Sequence, residues 1–231
     1  MSVPRQVVLD TETTGLSAGL GDRVIEIGCI ELLSRRPTER HFHQYLNPER
    51  PNDEGALKVH GLSDEFLADK PKFAEVAAEF LDYVRGAELV IHNAAFDVEF
   101  LDAELGRAGL GRLADHVAGV VDTLALAREL HPGRRNSLDA LCERYAVENA
   151  HRTLHGALLD ARLLAEVYLA MTRGQDSLMM ALDLPAERAA AARIDASQLR
   201  VVRASEAELR LHESYLDGMA KEAGGKIVWR Q

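Results

Sequence analysis

A short apolar run at residues 6–9 leads without a break into Asp10-Thr11-Glu12. No other feature constrains the chain as strongly. Such a run reads as a buried strand. In a strand, residues i and i+2 face the same side, so Asp10 and Glu12 project together from the end of a rigid sheet. Left alone, the two carboxylates repel, and one raises its pKa. A divalent cation between them resolves the conflict. A solvated acidic loop after the strand is the plainer alternative, and the pair by itself does not exclude it.

The following residues supply the rest of an α/β unit over positions 5–173. Residues 24–30 and 41–46 are strand candidates, the second stopped by Asn47-Pro48. Their short connections predict an antiparallel start. Residues 73–84 place Phe73, Val76, Ala77, Phe80, Leu81 and Val84 at helical period. Residues 89–91 form a short buried strand ending at His92-Asn93, residues 97–108 a helix, and Val120-Val121 a last short strand. Ser137 opens another helix through Leu138, Leu141 and Tyr145, and residues 156–171 form the long final one. Mixed strands with flanking helices predict a three-layer α/β domain.

Charge narrows the function classes. With 27 Lys and Arg against 37 Asp and Glu, the net charge is −10, which argues against gripping nucleic acid by a general basic surface. From Gly174 onward acidic and basic residues nearly balance, so the excess belongs to the first part. Cys29 and Cys142 have no metal-ligand spacing and read as small buried hydrophobes. Neither a secretion signal nor a membrane-spanning run is legible, so a cytoplasmic location is expected.

Three more residues belong with the first pair. Asp97 opens a helix just after the 89–91 strand, and Asn93 lies at that strand's end, where α/β sheets place ligands. His155 and Asp160 stand near the start of the final helix. On a regular helix they would be about 140° apart, so they converge only if His155 lies at or before the first turn, which Gly156 permits. Taken singly, Asp97 reads as a helix N-cap and His155 as a surface histidine. Together, Asp10, Glu12, Asp97 and Asp160 offer four negative charges, matching two Mg²⁺ or Mn²⁺ ions. Two such ions can stabilise attacking and leaving oxygens in a displacement at phosphorus. His155 suits the general base, because histidine titrates near neutrality.

The segments around these residues carry a resemblance. Val8-Leu9-Asp10-Thr11-Glu12-Thr13-Thr14-Gly15, His92-Asn93-Ala94-Ala95-Phe96-Asp97 and His155-Gly156-Ala157-Leu158-Leu159-Asp160-Ala161 resemble the DEDD exonuclease superfamily, in its histidine-containing branch. Val59-His60-Gly61-Leu62, Arg135-Asn136-Ser137-Leu138 and the ending Gly224-Gly225-Lys226-Ile227-Val228-Trp229 are similar to the proofreading subunits of bacterial DNA polymerase III. The resemblance implies an RNase H-like three-layer exonuclease domain with a mixed sheet. It implies two-metal hydrolysis that removes mispaired 3′-terminal nucleotides from DNA in the 3′→5′ direction. Asp10, Glu12, Asp97 and Asp160 would hold the metals, and His155 would deprotonate the water. Asp10, Glu12, His60 and Asp160 would touch substrate, with Asn93 lining the site. Many relatives carry a Glu five residues before the position of His60, where this chain has Gly55, so a side-chain contact from there is in doubt. A free-standing exoribonuclease acting on RNA ends would use the same catalytic set.

The remaining chain separates these alternatives. Residues 1–173 read as the nuclease domain, 174–198 as a flexible linker, and 199–231 as a small docking segment. In the last, Ser205 and Glu208 form a capping box ahead of a face of Leu209, His212, Leu216 and Met219. By resemblance this segment would dock on the polymerase alpha subunit. Gln175, Leu178 and Met180 resemble the peptide that sliding clamps bind. A theta-like small subunit is a further possible partner. An acidic nuclease tethered this way needs no strong grip of its own on the DNA 3′ end, because the tether supplies effective concentration.

Overall fold

The computed structural model describes residues 5–149, 154–173 and 204–222. The chain divides into two compact units, residues 1–178 and 179–231. In the first, β1 (Arg5–Thr13), β2 (Val24–Leu33) and β3 (Arg36–Tyr45) are joined by short connections. They are followed by α1 (Glu54–His60), α2 (Asp64–Leu67), α3 (Phe73–Val84), β4 (Glu88–Ile91) and α4 (Ala94–Arg107). Then come β5 (Gly119–Asp122), α5 (Thr123–Leu130), α6 (Leu138–Tyr145) and α7 (Ala157–Met171).

The strands make one mixed sheet of order β3-β2-β1-β4-β5. The β1–β2 and β2–β3 pairs are antiparallel, while β4 runs parallel to β1 and to β5. The antiparallel start predicted from the short connections is therefore present, and β1 becomes the central strand.

Strand alternation splits the core in two. Val7 and Leu9 join Ile27, Cys29, Phe42 and residues of α3 and α4 on one face. Val8 joins Ile30, Val90, Leu141, Ala161 and Leu164 on the other. Helices on both faces give the three layers expected. Helix α3 occupies the predicted residues 73–84, because its apolar positions recur at the helical period and all face the sheet. Both cysteines are buried, and burial pushes the Cys29 thiol well above its ordinary range. No helix among the described residues is long and apolar enough to cross a membrane.

Two contacts set the position of the helices that matter later. The Arg23 guanidinium, at the start of β2, grips the buried Glu104 of α4 through Nε at 2.6 Å and Nη2 at 2.8 Å. Such a fork pairs both carboxylate oxygens and fixes orientation. Gly28 lies directly opposite Asp10 in the sheet. A Cβ there would come within 2.2 Å of the Ala157 carbonyl carbon and the Leu158 nitrogen, so the first turn of α7 rests on the bare backbone of β2. Gly28→Ala must therefore push α7 away by roughly 1 Å or more, at a cost of about 3 kcal/mol. Urea denaturation of the variant, read against the wild type, measures that loss.

In the second unit, α8 (Glu206–Glu222) is the one described helix. Ser205 caps it as expected: its Oγ accepts from the Glu208 amide at 3.3 Å, and its own amide donates to Glu208 Oε2 at 2.7 Å. Of the predicted face, Leu216 is buried, while Leu209 and His212 are exposed. The expected linker at 174–198, with Gln175, Leu178 and Met180, lies outside the described residues. So does the ending at 224–229.

Candidate active site

Strand β1 delivers the first two carboxylates. Its alternation continues past the apolar run, so Asp10 and Glu12 follow Val8 onto the α7 side, while Thr11 turns toward α4. The strand thus extends to Thr13, beyond the predicted 6–9, with a register shift between Glu12 and Thr13. Glu12 is 8% exposed.

Asp97 reaches the same rim from the other face. It is not the N-cap expected of it, because α4 begins three residues earlier and Asn93 holds the cap position. Its carboxylate is taken by a tertiary partner: Oδ1 accepts from the Thr11 amide at 3.1 Å and from the Thr11 hydroxyl at 2.7 Å. Burial pushes its pKa up to about 7 against those hydrogen bonds. A cation bound beside it would push that pKa back down.

Helix α7 supplies the last pair. Asp160 lies in its first turn, 3% exposed. His155 sits two residues ahead of the helix, as convergence requires, and its Nδ1 stands 3.5 Å from Asp160 Oδ2. The His155 amide donates to the Val59 carbonyl of α1 at 3.1 Å, anchoring the segment. Gly156 is extended at φ −157°, a conformation open to any residue. The conformational freedom expected of it is not what brings His155 into place.

The five residues line one cleft of about 690 Å³. Glu12, His155 and Asp160 each offer a ligand atom within 4.8 Å of the others. This carboxylate-rich set fits a hard divalent cation. Asn93 also lines the cleft, exposed and in the left-handed region at φ 65°. That conformation is rare outside glycine and is retained mainly where surrounding structure enforces it.

His60 is placed differently. It is 4% exposed and does not line the cleft. Its Nδ1 accepts from the Leu62 amide at 3.0 Å, and its Nε2 is buried without a partner among the described residues. Burial lowers its pKa, Glu26 raises it and His155 lowers it, so the ring lies within the electrostatic reach of the catalytic segment. At Gly55 a Cβ would meet open space, so no side chain reaches the site from there. Sequence reasoning does not find Arg128 and Arg134, which line the cleft with Arg135. Exposed arginines carry no periodic signal that would mark them.

A mixed sheet whose central strand ends in paired carboxylates, completed by an aspartate from each face and a histidine, defines a metal-dependent phosphodiester hydrolase. The exonuclease family (RNase_T) matches residues 7–168. The chain is 54% identical to the DNA polymerase III subunit epsilon of Salmonella typhimurium LT2 over 99% of its own length and 98% of that protein's. It is 52% identical to that of Escherichia coli K12, over 99% of this chain and 98% of the relative. For that of Rickettsia prowazekii the identity is 44%, over 96% of this chain and all of the relative. Among solved structures, exonuclease X in complex with 5′-overhanging duplex DNA has a TM-score of 0.58 at 25% identity, covering 73% of this chain and 92% of that one. The zinc-bound E. coli exonuclease I–single-stranded DNA complex has a TM-score of 0.66 at 20% identity, covering 78% and 43%, and attests the fold alone.

The chain belongs to the exonuclease family and, within it, to the DNA polymerase III epsilon subunits. It is a 3′→5′ exonuclease with a proofreading role in DNA replication, and its family depends on divalent metal.

Proposed function

We propose that this cleft hydrolyses the terminal phosphodiester of a DNA 3′ end with two Mg²⁺ or Mn²⁺ ions. The observation that carries the reading is the convergence of Asp10, Glu12, Asp97, Asp160 and His155 on one cleft. The four carboxylates would hold the ions, which when bound supply Lewis-acid stabilisation of charge at the scissile phosphate. His155 accepts the proton of the attacking water. The new P–O bond forms as the bond to the 3′ oxygen breaks, releasing a nucleoside 5′-monophosphate and a fresh 3′ hydroxyl. Asp160 Oδ2, 3.5 Å from His155 Nδ1, would help to orient the ring. A contact of His60 with the terminal nucleotide rests on the resemblance alone, since its Nε2 is buried and the residue does not line the cleft.

Selectivity for mispaired ends needs no base readout. A frayed end costs less to melt into the cleft than a paired one, by a few kcal/mol. The test is a 5′-labelled primer with a matched or mispaired 3′ end. Metal-dependent release of mononucleotides, faster from the mispaired primer, is the expected result. Products cut internally or from the 5′ end would overturn it.

A polymerase complex as partner is supported by the relatives, which are named as polymerase subunits and match 96–99% of this chain. That coverage disfavours a free-standing exoribonuclease. Residues 199–231 would bind the polymerase alpha subunit, residues 175–180 the sliding clamp, and a theta-like subunit the nuclease domain. In titrations of the full chain with the clamp, Gln175→Ala with Leu178→Ala is expected to weaken binding about ten-fold or more and to spare nuclease activity. Unchanged affinity would remove the clamp from the partners.

A further inference from the structure

The chain is strongly acidic, and several arginines are paired with carboxylates, as Arg5 is with Glu31, Arg50 with Asp22 and Arg85 with Asp82. Arg128, Arg134 and Arg135 are not. All three are exposed, and none has a carboxylate within ion-pair distance among the described residues. All three line the same cleft as Asp10, Glu12 and Asp160. One active-site cleft therefore carries carboxylates and unneutralised guanidiniums together.

Arg128 stands in the last turn of α5, and Arg134 and Arg135 stand on the braced loop that follows it. Between α5 and α6, Arg144 Nη2 donates to the Arg135 carbonyl at 2.7 Å, and Nη1 donates to Asn136 Oδ1 at 2.9 Å. The Arg134 amide donates to the His131 carbonyl at 3.2 Å, and His131 Nε2 lies 2.7 Å from the Tyr145 hydroxyl. Asn136 is buried. The arginine surface also continues outward: Arg134 and Arg135 line a neighbouring depression of about 430 Å³ together with Arg144 and one carboxylate, Glu143.

Topology gives this surface a direction. The sheet order places β5, and the α5–α6 segment after it, two strands to one side of β1. Helix α1 is tied to the His155 segment through Val59. A polynucleotide whose 3′ end lies on the carboxylates can extend toward the arginines. The scissile phosphate is a task for the metal site. Phosphates further back along the strand have no such partner, and guanidiniums match phosphate geometry well.

We propose that Arg128, Arg134 and Arg135 form a phosphate track that holds single-stranded DNA on the 5′ side of the scissile bond. This rests on the exonuclease reading of the cleft and adds to it a substrate requirement: several unpaired nucleotides, not one. A mispaired end then profits twice, because the melted strand both reaches the carboxylates and lies along the track.

The test uses the full chain and the triple variant Arg128→Gln, Arg134→Gln, Arg135→Gln, with the corresponding triple Lys variant as a charge-retaining control. Binding of a fluorescent single-stranded octanucleotide is measured by anisotropy in EDTA across a salt series. The slope of log affinity against log salt should flatten by about 2 in the Gln variant, at roughly 0.7 for each phosphate no longer neutralised. The Lys variant should keep the wild-type slope. In divalent metal, kcat/KM for the octanucleotide should fall about ten-fold or more relative to that for the p-nitrophenyl ester of thymidine 5′-monophosphate, which has a single phosphate. An unchanged slope, or equal losses on both substrates, would overturn the track. A wild-type protein that binds the octanucleotide but cleaves neither substrate would instead overturn the exonuclease reading.

Discussion

Asp10→Ala is expected to lower the rate of 3′-nucleotide release at least about 10³-fold while leaving the fold intact. Asp10 stands on the central strand, half-exposed, opposite Gly28 and its bare backbone. Its side chain supports no core cluster, so removing it opens no apolar cavity. What it removes is one of the carboxylates on the rim of the cleft. A charged group that stabilises the transition state in a dry site is worth about 10²–10³ in rate. A metal ligand should cost at least the upper figure, because both cation affinity and cation placement go with it. Circular dichroism and urea denaturation of the variant should match the wild type, and calorimetric titration with Mn²⁺ should give weaker or fewer sites. Activity within about ten-fold of the wild type would contradict the role given to this residue.

His155→Ala should act on turnover by another route. The ring lies on a segment anchored by its backbone to α1 and is partly exposed, so its loss should leave α7 and Asp160 in place. Metal titration should then resemble that of the wild type, while kcat falls by about 10²–10⁴, the usual worth of a general base. The pH–rate profile separates this from simple distortion. A lost base removes the acid limb of the profile, whereas a displaced helix scales the whole curve down. Gly28→Ala supplies the comparison, since it moves α7 without touching either residue and should lower the rate without changing the shape of the profile.

Much of this arrangement is legible in the sequence wherever the signal is local. Helix α3 carries its own amphipathic period, and Ser137 and Ser205 announce the helices they cap. The paired carboxylates after an apolar run dictate their shared direction through strand geometry alone. Misreadings occur where a distant residue decides. Asp97 has the spacing of a cap, and only the position of Thr11, 86 residues away, shows where its carboxylate goes. Helix α5 escapes the sequence reading because it follows β5 with no intervening loop, although Asp122 caps it through the Leu124 amide at 2.9 Å. Gly156 invites a flexible reading, yet the glycine that matters is Gly28, whose role exists only once α7 lies across β2. The cleft arginines are the extreme case. Whether a guanidinium is already paired depends on the whole folded surface, and no residue-by-residue reading supplies that.

The order in which β1, α4 and α7 contribute to the rim has a consequence for synthesis. Asp10 leaves the ribosome early, yet Asp160 follows 150 residues later. Neither half of the chain by itself brings all four carboxylates and the histidine to the cleft. Competence to cut arrives only when nearly the whole first unit is complete, and bound cations then reward the finished fold with added stability.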